Sequence, residues 1–254
     1  QSSLSPEAFF SQVSGLEAFS NNFYTTFPTV FAENADVYAM ATMPEEISGR
    51  VQVPSTGGGW SWGTLRNINT LLGYLHYCKD QDAVKYYDAL CRFFRAYFYF
   101  DKVKQFGDVP WYDKTLGSED PELNRPRDSR DYVMQKMIED IDYAIEWLPE
   151  TKSDYRVTKW TALAFKSRFC LYEGTFRKYH KVNPSTNVAW NNEHGTANDF
   201  LNECVAASEE LMNSGKFALH SSYYDLFHHT NIASSKEAIW WSDYDGGELN
   251  RMHE

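Results

Sequence analysis

The sequence predicts a mainly all-α protein built of helical hairpins in series, joined by long loops, with a few short strands near its end. Two observations carry that expectation. Apolar residues recur at spacings of three and four in successive blocks, each closed by a capping residue, Gly or Pro. Hydrophobic residues are 43% of the 254 residues and charged residues 23%, which suits a packed core and excludes a disordered chain.

The elements follow in order. Ser5-Pro6-Glu7 reads as an N-cap with Pro at the first helical position, and a helix should run to about Phe19, broken at Gly15. From Phe27 to Trp60 the chain carries Pro28, Pro44, Pro54 and Gly57-Gly58-Gly59, a long loop of the kind that often serves function. Trp62 to Tyr77 is helical, with Leu65, Ile68, Leu72 and Leu75 on one face. In the helix from Ala83 to Phe106, Tyr87, Leu90, Cys91, Phe94 and Phe98 form one stripe, widened by Phe93, Tyr97 and Phe100. Its polar stripe is Asp88, Arg92, Arg95, Tyr99 and Lys102, and a helix this apolar should pack on several sides. Gly107 caps it and Pro110 stops it.

Asp128 is the expected cap of the next helix, whose buried stripe is Met134, Met137, Ile138, Ile141, Ile145 and Leu148, ended by Pro149. Thr158 starts another, to about Phe176, kept slim by Ala162, Ala164, Ser167 and Gly174 so that a neighbour can approach closely. The last long helix, from Thr196 to Asn213, should turn Phe200, Leu201, Cys204, Val205, Ser208, Leu211 and Met212 inward and stop at Gly215. Short strands are expected at Phe217 to Leu219 and Ala238 to Ser242. The order resembles tetratricopeptide stacking without its strict repeat of about 34 residues.

Several function classes are disfavoured. A net charge of −11 opposes binding to phosphate backbones, so no nucleic-acid partner is expected. The longest apolar runs, such as Phe93 to Phe100, include Arg95 and are far too short to span a bilayer. No signal peptide is present, so Gln1 reads as the start of a mature or trimmed chain. Cys78, Cys91, Cys170 and Cys204 form no C-x-x-C pair and read as buried free thiols. There is no His-Glu-x-x-His, Gly-x-Ser-x-Gly or phosphate-binding loop, and His228-His229 are adjacent and point apart in extended chain. Asp243-x-Asp245-Gly246-Gly247-Glu248 lacks a full calcium-loop pattern and reads as a turn. No metal and no cofactor is expected. Glu139, Asp142 and Glu146 share a helix face, which suggests either a carboxylate pair for glycoside hydrolysis or, more simply, a solvated face.

The sequence becomes specific at Phe94-Arg95-Ala96-Tyr97-Phe98-Tyr99-Phe100, running through Phe106-Gly107-Asp108-Val109-Pro110. A Tyr/Phe-rich helix ending in this turn resembles the hallmark of the SusD/RagB family. Three further blocks fall in that family's order: Asn67 to Leu72, Arg156 to Arg168, and Tyr223-Tyr224-Asp225-Leu226-Phe227 followed by Ser235 to Trp240. The resemblance implies a non-enzymatic, tetratricopeptide-like receptor of Bacteroidetes-type bacteria, lipidated at an N-terminal Cys. Such receptors are displayed on the outer membrane and seated as a lid on a SusC-like TonB-dependent transporter. It implies an oligosaccharide or polysaccharide ligand, or in some members a peptide. It also implies that residues 1–254 are a single SusD-like domain lacking the lipidated N-terminus and the C-terminal part of a full-length member.

In that family an Asp, an Arg and a Trp from the loop before the second helix, then an Asn, reach the ligand. Here the resemblance assigns those places to Asp36, Arg50 and Trp60 or Trp62, and Asn67 and Asn69 come later than the family's Asn. The expected ligand-binding set is therefore Trp60, Trp62, Arg50, Asp36 and Asn67. Aromatic faces stack on sugar rings while polar groups bind hydroxyls, and the excess of aromatics, 17% with 8 Trp and 17 Tyr, fits that chemistry. Trp60 and Trp62 are equally open to a second reading, as anchors of the loop into the core. Two other functions stay open: a helical-repeat scaffold whose only ligand is a protein, and a carbohydrate-active hydrolase.

Overall fold

Among the described residues eight α-helices run in chain order: α1 (Pro6–Phe10), α2 (Val13–Ser20), α3 (Gly63–Tyr74), α4 (Gln81–Phe106), α5 (Arg130–Trp147), α6 (Lys159–Tyr179), α7 (Ala197–Asn213) and α8 (Tyr223–His228). The computed structural model describes residues 5–26, 48–49, 52, 54–152, 155–228 and 232–241. The mainly helical expectation holds. The described strands are only β1 (Val182–Asn183) and β2 (Val188–Ala189), an antiparallel pair.

The 26-residue α4 is the axis of the core. It packs against α3 on one side and α5 on the other, and α6 joins α5 to α7. Leu90, Cys91, Phe93, Phe94, Tyr99 and Val103 of α4 are all buried. They meet Ile68 and Leu71 from α3, Met134 and Met137 from α5, and Phe169 from α6 in one cluster.

The caps explain the boundaries. Ser5, Asp80, Ser129, Thr158 and Thr196 each accept a hydrogen bond from a backbone N–H in the first turn that follows, and the last two form full capping boxes. Gly107 closes α4 at φ 71°.

Five expectations need correction. The first helix breaks at Ser11–Gln12, before Gly15 is reached; Gly15 lies within α2, where a Cβ would collide with the Phe9 carbonyl oxygen. Asp128 does not cap α5; Ser129 does, while Asp128 takes the Trp111 N–H and the Arg125 guanidinium. Val205 and Met212 of α7 are exposed because α7 packs mainly on α6, through a stripe centred on Phe200, Cys204 and Ala207. The described residues of 217–219 and 238–241 form no strand; the Ala218 N–H donates to the carbonyl of Lys236, which lies just before the second stretch.

The fifth correction matters most. Arg95, Tyr99 and Lys102, the inner part of the supposed polar stripe of α4, are buried. Each has a polar partner. Arg95 bonds Asp140 of α5, Tyr99 donates to the Pro110 carbonyl and receives the Tyr112 N–H, and Lys102 donates to the Gly59 carbonyl. Helical periodicity marks such residues as outward-facing; polar partners make their burial tolerable.

Candidate ligand-binding cleft

Two stretches far apart in sequence meet along α3. The first is the glycine loop. Gly57, Gly58 and Gly59 all have positive φ, at 77°, 57° and 82°, a run that side-chain-bearing residues resist. α4 holds this loop from below: Gln105 Nε2 donates to the Gly58 carbonyl at 2.7 Å and Lys102 Nζ to the Gly59 carbonyl. Trp60 and Trp62 follow at once.

The second stretch is the strip after Pro110. Asn69, buried on α3, donates from Nδ2 to the carbonyls of Tyr112 at 2.9 Å and Lys114 at 3.2 Å. Arg66 Nη1 donates to the Leu116 carbonyl at 3.0 Å. These bonds lay the strip against α3 and leave a cleft of about 440 Å³ between them. Trp60, Trp62, Leu65, Arg66 and Asn69 form one wall; Pro110, Tyr112, Lys114, Leu116, Leu123, Arg125 and Arg127 form the other.

The two tryptophans differ. Trp62 is half-buried, its ring wedged against Phe98, Tyr99 and Tyr112 at centroid distances of 5.7, 6.2 and 5.6 Å. Trp60 is 38% exposed. It meets Phe106 at 4.8 Å and Trp62 at 5.0 Å, both edge to face, and the Arg127 guanidinium sits 4.8 Å from its ring centre. Trp62 therefore anchors the wall and Trp60 is the ring that solvent reaches. Burial raises the Tyr112 phenol above its ordinary pKa, so at neutral pH it keeps its proton and donates to the Glu122 carbonyl at 3.1 Å.

Of the expected site residues, the structure brings Trp60 and Trp62 together on one cleft. Asn67 is exposed on α3 and does not line it; Asn69, two residues on, does. Asp36 and Arg50 lie outside the described residues. The Asp243–Glu248 turn and His229 also lie outside them. The far wall, from Tyr112 to Arg127, was not anticipated. It has no periodic signal; only the pairing of a Pro-containing loop with Lys114, Arg125 and Arg127 marks it, and nothing in the sequence says that it folds back on α3.

Other centres do not compete among the described residues. No group of His, Cys, Asp and Glu is arranged to hold a metal. All four cysteines are free, three of them buried. No helix is long and apolar enough to cross a membrane. Glu139, Asp142 and Glu146 are exposed on α5, with Glu139 paired to Lys136 and Asp142 to Lys166.

Comparison with known proteins agrees with this architecture. Residues 60–171, starting at Trp60, match a SusD-like family model described as "Starch-binding associating with outer membrane". SusD-like protein P2 of Formosa agariphila is 27% identical over 176 residues, which is 66% of this chain and 29% of the relative. A SusD-like protein from Bacteroides fragilis superimposes with a TM-score of 0.72 at 21% identity, over 93% of this chain and 46% of its own. Another structure, solved with xylogluco-oligosaccharide, superimposes with a TM-score of 0.58 at 18% identity, over 94% of this chain and 44% of its own. The chain thus spans under a third of that curated relative's length and less than half of the two solved structures'. The match beginning at Trp60, the related sequences and the shared helical scaffold make this chain similar to SusD-like proteins.

Proposed function

We propose that the chain binds an oligosaccharide or polysaccharide in the cleft beside Trp60 and holds it uncleaved at the outer face of the outer membrane. It then passes the glycan to a partner TonB-dependent transporter, while a lipid anchor outside this chain keeps it in place. The observation that carries this reading is the exposed Trp60 ring at the mouth of a cleft walled by donor side chains. An aromatic face covers the C–H face of a sugar ring, and flanking donors bind its oxygens. The relative solved with xylogluco-oligosaccharide and the family's description as starch-binding support a glycan ligand. No carboxylate lines the cleft among the described residues, whereas glycoside hydrolysis ordinarily uses two. Asp36 and Arg50 are proposed as further polar contacts from the preceding loop.

The test is calorimetry and affinity electrophoresis on a polysaccharide panel, with wild type and Trp60→Ala. Retention of a glycan that is recovered intact, weakened about tenfold or more by the substitution, is the expected result. Release of reducing ends would replace this reading with a hydrolase. Co-purification with a transporter barrel tests the delivery step.

A further inference from the structure

The chain carries a net charge of −11, yet the cleft is lined by Arg66, Lys114, Arg125 and Arg127 and, among the described residues, by no Asp or Glu. Arg125 is neutralised by Asp128 at 2.7 Å and Glu122 at 3.5 Å. The other three make no ion pair with any described residue. Arg66 and Arg127 each commit an N–H to a backbone carbonyl, of Leu116 and Asp108, and keep the rest of the guanidinium fork available. Lys114 is exposed, and Asp113 beside it lines the adjoining depression instead.

The neutral polar side chains of the cleft are already partly engaged, which leaves few side-chain oxygens free to accept. Asn69 Oδ1 takes a hydrogen from Arg95, and the Tyr112 hydroxyl hydrogen goes to the Glu122 carbonyl. The side chains therefore offer the ligand mainly N–H donors. A neutral sugar hydroxyl both donates and accepts, and it needs acceptors for its own hydrogen. A carboxylate or sulfate ester only accepts, and matches a guanidinium fork.

We infer that the glycan taken by this cleft is anionic, bearing a uronate carboxylate or a sulfate ester read by Arg66, Lys114 and Arg127, with Trp60 covering the sugar ring beside it. Arg127 is suited to this because the Trp60 ring already braces its guanidinium. This inference rests on the glycan reading above, and the experiment separates the two.

The full chain is run in affinity gels containing polygalacturonate, its methyl ester, a carrageenan, the same carrageenan desulfated, or xyloglucan. Retention by polygalacturonate or carrageenan is expected, and by neither neutralised form; which of the two retains the chain tells carboxylate from sulfate. Affinity should fall about tenfold between ~50 and ~300 mM NaCl, because the contacts are charge-assisted and partly exposed. Lys114→Gln, which removes an exposed charge and no internal bond, should weaken retention severalfold, as should Arg66→Gln, while Lys136→Gln on α5 should not. Circular dichroism confirms that each variant is folded. Retention by xyloglucan or the neutralised polymers, insensitive to salt and to Lys114→Gln, overturns the anionic inference and leaves the glycan reading standing. Retention by none of the polymers overturns both.

Discussion

Arg95 of α4 and Asp140 of α5 form a buried, two-pronged ion pair, Nε to Oδ2 at 2.6 Å and Nη2 to Oδ1 at 2.7 Å, while Arg95 Nη1 reaches Asn69 Oδ1 at 3.4 Å. Asn69 in turn carries the strip that forms the far wall of the cleft. The core is thus wired to the ligand wall through polar groups. Burial works to lower the Arg95 pKa, but the bonds to Asp140 outweigh it and the value rises, so the guanidinium stays charged. Asp140→Ala leaves that charge buried and uncompensated and should cost about 3–5 kcal/mol in urea unfolding. Glycan affinity should fall in the fraction that still folds, because Asn69 loses its brace. A loss of stability under ~1 kcal/mol would show that water replaces the pair.

A second buried network joins α5 to α6. Glu173, with no exposed surface, receives Arg130 through Nε and Nη2 at 2.9 and 2.6 Å and Arg177 through Nε at 2.7 Å. Arg177 continues to Asp131 at 2.7 Å and to the Gly195 carbonyl at 2.8 Å. Glu173→Gln keeps the shape but leaves two guanidiniums with one carboxylate, and should lower stability by about 3 kcal/mol or more. No member of this network lines the cleft, so glycan affinity of the folded Glu173→Gln protein should match wild type in calorimetry. A matching drop in affinity would mean that α5–α6 packing reaches the site.

These two networks mark where the sequence stopped being legible. The stripes of α3, α4 and α5 follow helical spacing, and Ser5, Thr158 and Thr196 announce the starts of α1, α6 and α7, and Gly107 the end of α4, by chemistry that acts within one turn. Arg95, Tyr99 and Lys102 broke the pattern because their burial depends on partners 10 to 50 residues away, which periodicity cannot see. The same holds for the site. Trp60 and Trp62 stand out locally beside three glycines, but the wall from Tyr112 to Arg127 is placed by Asn69 and Arg66, and those bonds exist only once α3 and the strip are packed.

Buried phenols make the fold sensitive to alkali. Burial pushes the Tyr24 hydroxyl up to about 12, against the lowering effect of the bond from the Val157 N–H, and burial raises Tyr99 as well. An unfolded tyrosine loses its proton near ~10. Between those values the unfolded chain releases protons that the folded chain retains, so stability is full below about pH 10 and falls as pH rises toward about 12. The urea midpoint should therefore drop steadily above about pH 10, and phenolate absorbance should appear together with unfolding for part of the tyrosine population. All tyrosines ionising near ~10 with the fold intact would refute this.

The glycine loop supplies the sharpest test of how Trp60 is presented. At Gly59, φ is 82° and a Cβ would lie 2.6 Å from the Gln105 side-chain amide. Gly59→Ala therefore meets two separate obstacles: backbone strain of about 1–2 kcal/mol and a collision with the end of a flexible side chain. The three glycines of the loop are exposed, so the cost should appear as displacement of Trp60 rather than as global unfolding. Iodide quenching of tryptophan fluorescence should change, and glycan affinity should fall about tenfold, by loss of the ring contact. Adding Gln105→Ala removes the collision and leaves the strain. If the collision moves the loop, the double variant should recover part of the affinity lost by Gly59→Ala, beyond what Gln105→Ala does alone. If the strain moves it, the double variant should bind no better, because Gln105→Ala also removes the bond that holds the Gly58 carbonyl.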